Sequence, residues 1–106
     1  MSFRINETYI CSVVFMDIVG YSAINNEKQR LLKSQFNSIV SKALSVTSAD
    51  SRLSLDTGDG AAIGFIFNPE HALQFARTVN LQFINSSLQV RIGLHLGPIT
   101  IVKDIN

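Results

Sequence analysis

Hydrophobic and polar positions along the chain fall into two alternating rhythms. Residues 9–16 form a short apolar run rich in β-branched and aromatic side chains, which predicts a buried strand. Gly20 breaks it. From about residue 26 to residue 46, apolar side chains fall at Leu32, Phe36, Ile39, Val40, Ala43 and Leu44. That is helical spacing, and Lys28, Arg30, Lys33 and Lys42 occupy the other faces. The helix is expected to fray over residues 47–51. Residues 52–56 and 61–67 read as a second and a third strand. Gly58-Asp59-Gly60 between them is a hairpin signal, because Asp-Gly tolerates the positive φ angles of tight turns. Asn68-Pro69-Glu70 opens a second helix: an N-cap, a first-turn proline, and an acid at the positive dipole end. Ala72, Leu73, Ala76, Val79, Phe83 and Ile84 are its apolar stripe. Residues 88–95 alternate as a fourth strand. Gly97-Pro98 is then expected to bend the chain into an extension at residues 99–102, whose partner strand the chain does not contain.

The order is β-α-β-β-α-β. This is an α+β fold of ferredoxin-like type, an antiparallel sheet with two helices on one face and the other face open. A chain of 106 residues makes one domain, and 46% hydrophobic residues suffice for its core. Phe36, Phe75 and Phe83 read as core aromatics.

Charge narrows the function classes. Charged residues make up 16% and the net charge is +1. The basic residues are scattered, so the electrostatic footprint of a nucleic-acid binder is missing. Cys11 is alone in an apolar run and reads as a small buried side chain of a reducing compartment. No segment has the pattern of a signal peptide or the length of a membrane span. The expectation is a cytoplasmic protein without a membrane segment.

Two carboxylates carry the candidate chemistry. Asp17 ends the first apolar run, and Asp59 sits in the hairpin turn. Each has an ordinary explanation: a strand-terminal Asp caps the next turn, and Asp-Gly makes hairpins. In this strand order, however, the end of the first strand comes close to the hairpin turn. Two carboxylates placed there repel each other unless a cation lies between them. Mg²⁺ takes one or two carboxylates together with substrate phosphates, and a pair of such ions can activate a nucleophile and steady a leaving group. The segment Ile18-Val19-Gly20-Tyr21-Ser22 can turn backbone N–H groups toward an anion, although it is also an ordinary strand-to-helix loop. It lacks the Gly-Lys-Ser/Thr ending of a Walker A loop.

Phe15-Met16-Asp17-Ile18-Val19-Gly20-Tyr21-Ser22 closely resembles the first metal-binding motif of class III adenylate and guanylate cyclases. Thr57-Gly58-Asp59-Gly60 resembles their second. Val90 to Pro98 resembles the structural strand that follows, with His95 as its histidine. The resemblance spans essentially the whole chain, but only the front of the family's catalytic domain. It implies that Asp17 and Asp59 bind two Mg²⁺ or Mn²⁺ ions, with the Ile18 carbonyl as an added ligand. It implies that amides from Val19, Gly20, Tyr21 and Ser22 hold a nucleoside triphosphate, with Thr57 and Gly58 beside it. The implied reaction makes a 3′,5′-cyclic nucleotide and pyrophosphate. The implied partner is a second copy or another cyclase-like domain, arranged head to tail.

The departures point the other way. The family's purine-selecting Lys or Glu, four residues before the second metal Asp, is replaced by Leu55, and Asp56 should face the opposite side of the sheet. The transition-state Asn-x-x-x-Arg lies downstream in the family, and no such pair follows Asp59 here. The isolated chain is therefore expected to be inactive. A non-catalytic regulatory or dimerisation module with the same fold is the alternative. A diguanylate cyclase-like domain ranks lower, because the hairpin lacks an acidic pair and an aromatic. His71, expected at the surface, and His95 make a poor zinc site without a third ligand.

Overall fold

The computed structural model describes residues 6–47, 52–66 and 68–100. It places strand β1 at Thr8–Ile18, helix α1 at Asn26–Ser45, β2 at Arg52–Asp56, β3 at Gly60–Ile66, helix α2 at Pro69–Ile84 and β4 at Val90–Thr100. The strands pair antiparallel in the order β2-β3-β1-β4. Among the described residues β1 and β3 are therefore central and β2 and β4 are edges, as a ferredoxin-like connection requires.

Both helices start where side chains satisfy their free N–H groups. Asn25 accepts from the Lys28 amide at 2.9 Å, and Asn68 accepts from the Glu70 amide at 3.0 Å with Pro69 in the first turn. α1 ends at Ser45, and Thr47 is buried with its hydroxyl donating to the Ala43 carbonyl. The expected fraying over residues 48–51 lies outside the described residues.

Strand alternation sorts β1 into two cores. Val14, Met16 and Ile18 face the helices and pack with Phe36 and Val40 of α1 and Phe75 and Val79 of α2. Phe36 stacks on Phe83, and Phe65 meets Phe75 at a tilt, each pair with centroids 5.5 Å apart. Each ring removed from water in this way contributes about 1.5–3 kcal/mol. On the opposite face Cys11, Val13, Ala62 and Ile66 form a smaller cluster, flanked by Tyr9, Leu53 and Ile99. Among the described residues that face bears no helix, yet its far half is apolar rather than bare. Cys11 is fully buried there, and burial pushes its thiol pKa up. Ile84 falls off the α2 stripe and is exposed.

β4 differs most from expectation. It begins at Val90, after a buried Leu88, and runs unbroken through Gly97-Pro98 to Thr100. Pro98 pairs with Ile10, Ile99 with Tyr9 and Thr100 with Thr8, so the supposed extension has its partner in β1. The reason lies in ladder parity. The Val19 amide donates to the Gln89 carbonyl at 2.9 Å, so odd-numbered residues on this side turn their backbone groups toward β1. Pro98 is even-numbered. Its missing N–H belongs to the outer edge, where proline removes no ladder bond. Residues 67, 101 and 102, also expected in strands, lie outside the described residues.

Candidate functional site

β1 runs two residues further than the apolar run suggested, so Asp17 sits inside the ladder. It lies opposite Gly60 on β3 and opposite Arg91 on β4. The next residue, Ile18, donates its N–H to the Asp59 carbonyl at 2.8 Å. The end of β1 and the β2-β3 turn are thus stitched together, and the two aspartates stand at one edge of the sheet. Gly60 permits this approach: a Cβ there would lie 1.8 Å from the Met16 carbonyl oxygen. The Asp17 side chain is 36% exposed and Asp59 is exposed at the tip.

The turn is held from beneath by a residue that the sequence placed only on a helix face. Lys33 of α1 donates to Asp56 Oδ1 at 2.8 Å, to the Gly58 carbonyl at 2.7 Å and to the Gly60 carbonyl at 3.1 Å. All three ammonium protons have acceptors. Asp56 Oδ1 also accepts from the Gly58 amide at 2.7 Å. The Lys33 hydrogen bond, followed by the Gly58 amide, holds the Asp56 pKa below the usual carboxylate value. Gly58 itself has φ 87°, the left-handed region that glycine enters freely. Thr57 contributes its amide to the Gly60 carbonyl, and its hydroxyl lies 3.5 Å from Asp59 Oδ1.

On the other side of Asp17 the chain turns into a short 3-10 turn, Tyr21–Ala23. Gly20 precedes it in the left-handed conformation with φ 72°, and no side chain caps the turn. Val19 has already given its amide to Gln89. Of the four amides expected to hold an anion, Val19's is therefore taken, and Gly20, Tyr21 and Ser22 remain as candidates. The Tyr21 carbonyl accepts from Gln29 Nε2 at 2.9 Å, tying the loop to α1. The Ile18 side chain is buried in the main core.

Arg91 is the residue that sequence reasoning passed over. Its Nε donates to Asp17 Oδ1 at 2.8 Å across the strand pair, and its side chain is 73% exposed. The signal was present in the alternation, since Arg91 is the one ionised residue on the mixed face of β4. Which strand it would pair with was not. Leu55 is 65% exposed and opposite Ala62, on the same sheet face as Asp17. Asp56 turns to the helix face, as its bond to Lys33 shows. His71 is half-buried rather than exposed, beside Asn68, and His95 is exposed and stands over Gly97.

The backbones of the two aspartates meet at this edge, and Arg91 pairs with Asp17 there. Among the described residues no three His, Cys, Asp or Glu side chains gather in one place. A half-buried carboxylate at Asp17 and an exposed one at Asp59 are the hard oxygen ligands that a divalent cation bringing its own phosphate oxygens would use. Among the described residues no helix is long and apolar enough to cross a membrane. A scan against protein-family models and a search of curated proteins found no match to this chain.

Proposed function

We propose that this chain forms the metal- and triphosphate-binding part of a class III nucleotidyl cyclase-like domain. The observation that carries the reading is the stitch between Ile18 and Asp59, which brings Asp17 and Asp59 to one sheet edge. In a complete domain the reaction joins the ribose O3′ of ATP or GTP to its own α-phosphorus. The bond from that phosphorus to the pyrophosphate oxygen breaks.

Asp17 and Asp59 would hold two Mg²⁺ or Mn²⁺ ions, with the Ile18 carbonyl beside them. Such ions lower the pKa of a bound hydroxyl and neutralise charge on a leaving phosphate. The chain's own residues do the rest of the binding. The Gly20, Tyr21 and Ser22 amides face the anion. Arg91, freed from Asp17 when a cation takes that carboxylate, gives a forked donor to a phosphate oxygen. Lys33 fixes the turn that carries Asp59. Leu55 offers a purine no hydrogen bond, so base selection and the transition-state contacts must come from elsewhere.

A non-catalytic module of the same fold is the second reading. Two observations favour it: Arg91 already neutralises Asp17, and Leu55 stands in the base-selecting position. Calorimetric titration with Mn²⁺ and ATP or GTP separates the two. The cyclase reading expects heat that disappears in Asp17→Ala and Asp59→Ala, with no cyclic nucleotide above blank from the chain alone. No heat in the unaltered chain assigns it to the module.

A further inference from the structure

We propose that a hollow behind the loop from β1 to α1 binds a small amphipathic anion, a carboxylate on a short apolar tail. The hollow measures about 430 Å³, within the range of small-molecule sites. It opens between the end of β1, the start of α1 and the connection from α2 to β4. That is the Ile18 end of the sheet. The undescribed segments adjoin Asn6, Arg52, Ile66 and Thr100, toward the Thr8 end. The hollow also stands apart from the aspartate edge. Ile18 turns its side chain to the helix face, and by strand alternation Asp17 turns to the other.

The floor is apolar and already in place. Ile18 and Leu88 are buried, Ile24 and Leu32 are half-buried, and all four line the hollow. Two bonds fix its walls. The Val19 amide donates to the Gln89 carbonyl at 2.9 Å, and the Leu88 amide donates to Ser86 Oγ at 3.1 Å. Asn25, next to Ile24, caps the start of α1. A site held in this way needs little ordering before a ligand enters. Val19 lines it too and is 44% exposed, apolar surface that a ligand's tail would take from water.

Charge complementarity chooses the occupant. Lys28, Ser87 and Gln89 line the hollow and are exposed. Among the described residues the Lys28 ammonium, the Ser87 hydroxyl and the Gln89 side-chain amide make no hydrogen bond or ion pair. All three can donate. Among the described residues that line the hollow none is acidic, and Lys28 is the one charged side chain. Glu27 and Arg30, exposed on the same helix, do not line it. A carboxylate head meets the Lys28 ammonium, with Ser87 and Gln89 as further donors. Its tail covers Val19, Ile24 and Leu32. An inorganic anion has no tail to place on that floor, and a neutral alcohol gains nothing from the ammonium group.

Octanoate, kept below its micelle-forming concentration, is the probe, titrated into the 106-residue chain and followed by amide NMR. Saturable shifts are expected at Val19, Ile24, Leu32, Leu88 and Gln89, and none at Cys11 or Ile66, toward the other end of the sheet. 1-Octanol lacks the charge and should bind about two- to fivefold more weakly, the worth of one exposed charged contact. Butyrate lacks most of the tail and should bind more weakly still. Lys28→Glu, at an exposed position of a capped helix, should keep the fold and reverse the preference from octanoate to octylammonium. Lys42→Glu makes the same charge change about 21 Å further along α1, beyond the screening length, and should leave octanoate binding unchanged. Octanoate shifts that do not saturate, equal binding of octanol, or a Lys28→Glu chain that still prefers octanoate overturns the proposal. So do shifts centred on Gly20, Tyr21 and Ser22, which would put the carboxylate on the loop amides instead.

Discussion

Lys33 shows how much one side chain can fix. Its side chain is 14% exposed, and its ammonium group spends its three protons on the Asp56 carboxylate and two turn carbonyls. Lys33→Met keeps the stem against Phe36 but leaves the two carbonyls without their charged donor. The expected loss is about 1–3 kcal/mol in chemical denaturation, with faster exchange of the Gly58 amide. The pH dependence follows from Asp56, whose folded pKa is lowered, Lys33 first and the Gly58 amide second. A lowered carboxyl stabilises the fold fully above its unfolded value of about 3.9. That contribution fades as pH falls through the lower folded value. Denaturation curves from neutral pH downward should show this slope, and Asp56→Asn should flatten it. The two turn glycines separate by cause. Gly60→Ala drives a Cβ into the Met16 carbonyl and should cost more than about 3 kcal/mol. Gly58→Ala meets open space at φ 87° and should cost only about 1–2 kcal/mol. Gly58-Asp59-Gly60 was legible as a turn. That one glycine serves conformation and the other close approach was not, because the second depends on where β1 lies.

At the scale of elements, periodicity carried most of the information. Both helices, the β2 bounds and the hairpin follow from spacing and turn chemistry that are local in the chain. The errors fall where a neighbour decides. Asp17 and Ile18 join β1 because Gly60, Arg91 and Val90 stand opposite them. Gly97-Pro98 looks like a strand's end, and in a central strand it would be one. On an edge strand the proline nitrogen faces outward, and no bond is lost. This parity makes a paired expectation. Pro98→Ala should change stability by less than about 0.5 kcal/mol. Gly97→Pro, one residue earlier, removes an inward N–H that bonds β1, and should cost roughly 2–3 kcal/mol. Thermal or urea unfolding of the two variants side by side measures the difference. A Gly97→Pro loss as small as that of Pro98→Ala would mean that the residue 97 amide makes no bond to β1.

For the molecule as a whole, the sheet edge at Asp17 and Asp59 couples any ligand to the fold. The two carboxylates come from strand β1 and from the β2-β3 turn, and the guanidinium beside them comes from β4. A cation with its triphosphate would bridge three elements that separate on unfolding, so binding must raise stability by mass action. At ten times the Kd the gain is about 1.4 kcal/mol, which for a chain of this size is a Tm rise on the order of 5–10 °C. Mn²⁺ with ATP or GTP should produce that rise, and a chelator should reverse it. Asp17→Asn and Asp59→Asn should each abolish it. Arg91→Gln splits the two contributions. It removes the cation that competes for Asp17, so Mn²⁺ alone should bind more tightly. It also removes a phosphate donor, so the added rise from the triphosphate should shrink. An Arg91→Gln variant that gains nothing with Mn²⁺ and loses nothing with the triphosphate would make the Arg91–Asp17 pair a strand-to-strand clasp and no part of a binding site.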